Sequence, residues 1–277
     1  MKINGRVLHQ LFKYSIYALL TVNIFVFFGE EWAAARLEFP QGIPGGEIFK
    51  AYAATIDTAA WVILLLMFEL ETYVLEDRHW TPTVKISLHA LRATCYLFIL
   101  FAFSGYIEDA MYVFQTSPLA VTDLCALVGQ NWSYATTFGE YAQITASNCG
   151  SFSDLGQFVR FDGVAAAVDE PGLAGIHFLA IVDVVNAAVW LLVVLVLEID
   201  VRLQEKNRFE GLALYLSTVA KVILYAILVL AVVAWMVTGG FVDWWDALLW
   251  LVAFVFIELN VVEWRQESHE ETAEAVA

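Results

Sequence analysis

Six stretches of this chain, near 12–30, 52–74, 86–107, 175–199, 212–237 and 241–263, each run for about twenty residues with few charges. A bilayer core about 30 Å thick needs roughly 20 apolar residues per helix, so each stretch is long enough to cross it. Composition agrees. The 277 residues are 60% hydrophobic and only 16% charged, with a mean hydropathy of +0.68, whereas soluble domains hold about 45–50% apolar and about 25% charged residues. The expected fold is an all-α membrane protein of six transmembrane helices.

Basic residues orient such a bundle, because cytoplasmic loops carry an excess of Lys and Arg. Lys2, Arg6, Lys13, Arg78, Lys85, Arg92, Arg202, Lys206, Arg208, Lys221 and Arg265 fall on one side, and Arg36, Lys50 and Arg160 on the other. Both termini are therefore expected in the cytoplasm, in a plasma membrane, with the bacterial inner membrane favoured. The formal charge of −16 is concentrated in the outer loops. An acidic outer face attracts cations and repels anions within a Debye length; it also serves solubility in salty or acidic medium. Nucleic acid is excluded as a partner of so acidic a chain.

A shift of 129 positions lays the second and third stretches on the fourth and fifth. Asp57 meets Asn186, Trp61 meets Trp190, Glu69 meets Glu198 and Glu71 meets Asp200; further on, Arg92 meets Lys221, Tyr96 meets Tyr225 and Tyr106 meets Trp235. The sixth stretch repeats the even pattern with Asp246, Trp250, Glu258 and Asn260, and the first repeats the odd pattern with Lys13 and Tyr17. The expectation is three pseudo-repeats of a helix pair, about 1–75, 76–205 and 206–266, within a six-helix domain spanning 1–266. A basic start, an apolar run and Ala33-Ala34-Ala35 resemble a signal peptide, but Lys13 and Tyr17 belong to the repeat, so the first stretch reads as a retained helix. The plan is similar to that of the mitochondrial carriers, yet their Pro-x-acidic-x-x-basic motif is absent and the chain is not assigned to them.

Charge inside a bilayer is costly and is sheltered by protein or water. Two tiers follow. The inner tier is a ring of Lys13, Arg92 and Lys221 with Glu69, Glu198 and Glu258, and Tyr17, Tyr96 and Tyr225 stand one turn above the bases. It reads either as a latch pinning neighbouring helices or as a breakable gate. The outer tier is Asp57, Asp183, Asn186 and Asp246, with Trp61, Trp190 and Trp250 one turn beyond three of its members. It suits a cation or proton, since ion paths use rings of acidic side chains, although packing is an equally simple use for the tryptophans.

The loop 107–174 is long enough for an outer subdomain and holds Cys125 and Cys149, 24 positions apart, which can form a disulfide on the oxidising side. The tail 267–277 is acidic and is expected to be disordered. No cofactor or metal is expected: the histidines do not pair at matched depth for haem, and no zinc spacing, phosphate loop or serine elbow occurs, which argues against an enzyme. Two functions remain. One is an ion or small-solute transporter or channel for a cation or proton; the other is a non-transporting accessory subunit that docks a partner, another membrane subunit or a second copy, through its outer loop. A water-accessible cavity reached by Asp57, Asn186 and Asp246 discriminates them.

Overall fold

A computed structural model describes residues 5–71, 81–153, 157–205 and 211–256. The chain is mostly helical: α1 (Gly5–Glu38), α2 (Ile48–Ala51), α3 (Ala53–Glu69), α4 (Pro82–Val113), α6 (Glu170–Glu205) and α7 (Leu212–Thr238), with a further helix, α8, over 241–256. Among the described residues four helices are long and apolar enough to cross a membrane, and α2–α3, bent by 73°, makes a fifth if counted as one broken span. The described part of α8 ends at residue 256, so the sixth stretch is only partly in view. Glu258, Asn260 and the tail 267–277 lie outside the described residues.

Helix boundaries follow local chemistry. Thr81 caps α4 by accepting from the Val84 amide, and Pro82 occupies the first turn, where no amide donor is needed. The cap residue of α3, Tyr52, offers no side-chain bond. Its function is supplied by Glu31 of α1, which accepts from the Ala54 amide at 2.7 Å, the Thr55 amide at 3.0 Å and the Thr55 hydroxyl at 2.5 Å. A carboxylate at a helix N-terminus also meets the positive end of its dipole. α1 thereby holds the bend between α2 and α3.

Sequential helices pack on one another: α1 on α3, α3 on α4, α4 on α6 and α6 on α7. Leu249 and Ala247 of α8 share clusters with Leu228 and Trp235 of α7, and Phe256 meets Phe12 of α1. The row thus closes on itself. Its centre is a buried cluster of Leu20, Leu65, Val193, Leu228, Leu249 and Ala253. Outward-facing apolar side chains remain exposed along the same helices, among them Phe25, Leu97, Ile181, Leu195 and Leu230. Soluble monomers rarely carry apolar surface on that scale, and a hydrocarbon surround accounts for it.

Glycine matters at one crossing. A Cβ on Gly105 of α4 would stand 2.5 Å from the carbonyl oxygen of Phe49 and 3.0 Å from the Ala53 Cβ, so α4 presses directly on the α2–α3 bend. Gly105→Ala is expected to destabilise the protein by about 1–3 kcal/mol, the usual cost of overpacking. A lowered melting temperature in detergent checks this; an unchanged one sinks it.

The all-α expectation is corrected by the segment between α4 and α6. It folds into a five-stranded sheet of order β1-β4-β5-β2-β3, from β1 (Thr116–Leu119), β2 (Ser133–Thr137), β3 (Glu140–Gln143), β4 (Phe158–Phe161) and β5 (Ala166–Asp169). The pairings are antiparallel except β2 with β5. The β2–β3 turn uses Gly139 at φ 78°, a conformation that only glycine adopts freely. Phe161, Ala166 and Val168 pack on Val113 of α4 and on Ile176 and Ala180 of α6, so α4 extends beyond its apolar stretch to carry the sheet and α6 carries it on its first turns. At the sheet's base the Tyr134 hydroxyl donates to Asp169 at 2.5 Å. Burial and that carboxylate together push the phenol above its usual range.

Cys125 and Cys149 form a disulfide, joining the turn Leu124–Leu127 to the short helix α5 (Cys149–Ser153). Closing a loop of this length stabilises by roughly 3 kcal/mol in the chain-entropy account. Replacing both cysteines by serine is expected to speed protease cleavage within 116–169 severalfold while leaving the helical bundle intact. Equal cleavage rates would contradict this.

Candidate functional site

Between the helices, towards the sheet, lies a chamber of about 90 Å³ lined by Asp57, Asp183, Asn186 and Asp246 together with Trp61, Trp190, Trp235, Trp250 and Tyr106. Helix periodicity puts the acids and the indoles there together, because residues four apart share a face. Asp57 and Trp61 are on α3, Asn186 and Trp190 on α6, Asp246 and Trp250 on α8. The indole of Trp61 donates to Asp57 Oδ1 at 3.0 Å. Trp235 of α7 donates to Asp183 Oδ1 at 3.1 Å. Asn23 of α1 donates to Asp246 Oδ1 at 2.7 Å, and the Tyr106 hydroxyl lies 3.5 Å from Asp57 Oδ2. The Asn186 amide oxygen is buried without a hydrogen-bond partner.

At the end away from the sheet an aromatic floor closes the chamber. Phe254 lies 4.5 Å from the Trp190 ring, 6.3 Å from Trp61 and 6.4 Å from Trp250, and Trp61 meets Trp250 edge-on at 6.3 Å.

Towards the sheet the chamber shares walls with a larger cavity of about 170 Å³: Tyr106, Asp183, Trp235 and Asp243 line both. This vestibule carries Glu30, Glu31, Glu38, Asp109 and Glu140, and one base, Lys50. Asp243 accepts from the Gly240 amide at 3.2 Å and so starts α8. Lys50 pairs with Glu38, lies 3.9 Å from Asp109 and stands 4.5 Å over the Tyr112 ring. A third cavity, of about 270 Å³ between α1 and the β2–β3 hairpin, shares Glu30, Gly139, Glu140 and Tyr141 with the vestibule. The three form a series from the sheet to the middle of the bundle, with carboxylates in the walls of each.

Compared with protein-family models, curated proteins and solved structures, the chain matches none. Its function has to be argued from these cavities and from the charges below them.

At the opposite end, three ion pairs join neighbouring helical segments. Lys13 donates to Glu69 Oε1 at 2.7 Å, with both side chains buried, and the Tyr14 hydroxyl reaches the same oxygen at 3.0 Å. Arg92 bonds both oxygens of Glu71, at 2.9 and 2.7 Å. Lys221 meets Asp200 at 3.1 Å, and the Ser217 hydroxyl donates to the same Asp200 oxygen at 2.6 Å. Glu198 pairs instead with Arg202 on its own helix, in an exposed i,i+4 bridge. Tyr17 is buried in the central cluster, Tyr225 packs against that cluster half-buried, and Tyr96 is exposed.

Sequence reasoning named Asp57, Asp183, Asn186 and Asp246, and the structure gathers all four around one chamber. It paired the bases with Glu69, Glu198 and Glu258, while the structure gives Arg92 and Lys221 the acids two residues further on. The repeat does not decide between the two sets, since Glu69 and Glu198 are separated by the same 129 positions as Glu71 and Asp200. Glu31, Lys50 and Asn23 carried no sequence signal, because each acquires its partner only through tertiary contact.

Proposed function

We propose that the chain is a six-span membrane protein that moves a cation or a proton, with the acidic chamber as its binding site. The observation that carries this reading is the cavity of about 90 Å³ between helices, walled by Asp57, Asp183 and Asp246 and continuous through shared walls with an acidic vestibule. A non-transporting anchor would satisfy Asp57, Asn186 and Asp246 against neighbouring helices and leave no cavity; Asp57 and Asp246 do have partners, so it is the chamber and the Asn186 oxygen, without a partner among the described residues, that weigh against it.

On this reading the sheet faces outwards and both termini face the cytoplasm of a plasma membrane, favoured as a bacterial inner membrane by the lysines and arginines at the far end. The closed row of helices, with the even members α3, α6 and α8 meeting at Trp61, Trp190 and Trp250, supports three helix pairs about a pseudo-three-fold axis. The matched pairs Arg92–Glu71 and Lys221–Asp200 support it too. The third base, Lys13, is bonded to Glu69 of α3. The aromatic floor and these ion pairs would then form the inner gate, opened as the pairs exchange.

The test uses purified protein in sealed vesicles with ion-sensitive dyes. Wild type should carry protons or a cation above the rate of protein-free vesicles, with Asp57 required. No flux for any cation tested would remove the transport reading.

A further inference from the structure

The chamber walls are rich in hydrogen-bond acceptors and aromatic rings but poor in converging ligands for a metal. Among the described residues no three His, Cys, Asp or Glu side chains gather closely enough to hold a metal ion. The second Asp57 oxygen lies 3.5 Å from the Tyr106 hydroxyl, and Asp57, Asp183 and Asp246 each accept from an N–H, of Trp61, Trp235 and Asn23 respectively. That bond orients the carboxylate and leaves acceptor capacity on it. The Asn186 oxygen, buried and unpartnered, requires a donor, because a buried acceptor left unsatisfied costs about 1–3 kcal/mol.

Aromatic side chains supply much of the remaining wall, together with Ala54, Thr58, Ala187 and Ala247, and aromatic ring faces attract cations. The volume of about 90 Å³ corresponds to roughly three waters at about 30 Å³ each. That is room for a few heavy atoms, more than one bare ion fills. The vestibule already shows the same recognition chemistry in covalent form: the Lys50 ammonium lies between Glu38 and Asp109 and over the Tyr112 ring.

We propose that the chamber selects a small organic ammonium bearing N–H groups, of methylammonium or ethylammonium size, over alkali-metal ions and over quaternary ammonium. The assignment rests on the cation reading above and narrows it. The N–H groups satisfy Asn186 and the carboxylates, while the alkyl part lies against the indoles, where an alkali ion would lose its hydration without gaining a closed oxygen shell.

The experiment titrates the full chain in detergent at constant ionic strength, replacing NaCl by methylammonium chloride, tetramethylammonium chloride or KCl, and follows tryptophan emission. Methylammonium should give a saturable change, with half-saturation at least tenfold below that for tetramethylammonium, and KCl should give none. Asn186→Leu should weaken methylammonium binding at least tenfold at unchanged melting temperature. Asn186→Ser provides a milder second variant if the first misfolds, with a smaller loss in the same direction. An equal response to KCl, an equal response to tetramethylammonium, or no saturable response to methylammonium overturns the proposal. Vesicle flux decides the cation reading separately: cation flux without methylammonium binding sinks only the ammonium assignment, and methylammonium binding without flux of any cation sinks only transport.

Discussion

Asp57→Asn is expected to lower cation or proton flux at least tenfold while leaving the fold intact. The amide keeps an oxygen that can accept from the Trp61 indole, now at 3.0 Å from Asp57 Oδ1, so the local hydrogen bond survives. What disappears is a group able to carry a negative charge, or to take up and release a proton, in a chamber that Asp183 and Asp246 also line. Two unit charges 4 Å apart interact by about 4 kcal/mol at an effective dielectric of about 20. Tenfold corresponds to about 1.4 kcal/mol, so even a strongly screened charge suffices for the predicted loss. The measurement is the initial rate of uptake into vesicles at matched protein content, with Asp57→Asn compared against Glu47→Gln. Glu47, in the turn before α2, does not line the chamber. Equal rates for wild type and Asp57→Asn, with both proteins folded, would mean that the carboxylate does not meet the ion.

Lys13→Met is expected to cost about 3–5 kcal/mol, the largest stability loss of any single change considered. Lys13 and Glu69 are nearly inaccessible, at 5% and 8% side-chain exposure, and removing one partner strands the other charge in a low-dielectric interior. The double variant Lys13→Met/Glu69→Met should recover most of that loss, because two buried charges replaced by well-packed apolar groups are often neutral in sum. Arg202→Ala is the contrast. Its bridge to Glu198 is exposed on both sides, and such pairs contribute about 0–1 kcal/mol. Chemical or thermal unfolding in detergent ranks the three. A Lys13→Met protein as stable as Arg202→Ala would show that the pair is not a latch, and failure of the double variant to recover would locate the cost in packing. Arg92→Glu should likewise be restored by Glu71→Arg, its bonded partner, and not by reversing Glu69.

How far the site could be read beforehand depended on what each residue needed. Asp57, Asn186 and Asp246 were legible because a polar group at a fixed spacing in an apolar helix has to be sheltered, whatever the sheltering elements are. Arg92 and Lys221 were legible as paired bases for the same reason. Their acids were not, because choosing between Glu69 and Glu71 requires the rotation of α3 against α4 to within a fraction of a turn. Strands β1 to β5 left almost no trace. Each is only four or five residues long, too short for a clear alternation, and the order of the sheet depends on pairs distant in sequence, such as Thr116 with Phe161.

Amino-acid order by itself determined the class of this protein: apolar runs measured against the thickness of a bilayer, broken at set intervals by charges that hydrocarbon rejects. Both are local properties, and a single strand of letters contains them. Tertiary structure alone decided that Glu31 caps a helix it does not belong to, that Lys50 sits among carboxylates, and that three aspartates border one space. Those outcomes depend on how helices cross and at what depth, and crossing geometry comes from the summed fit of many side chains on several elements at once.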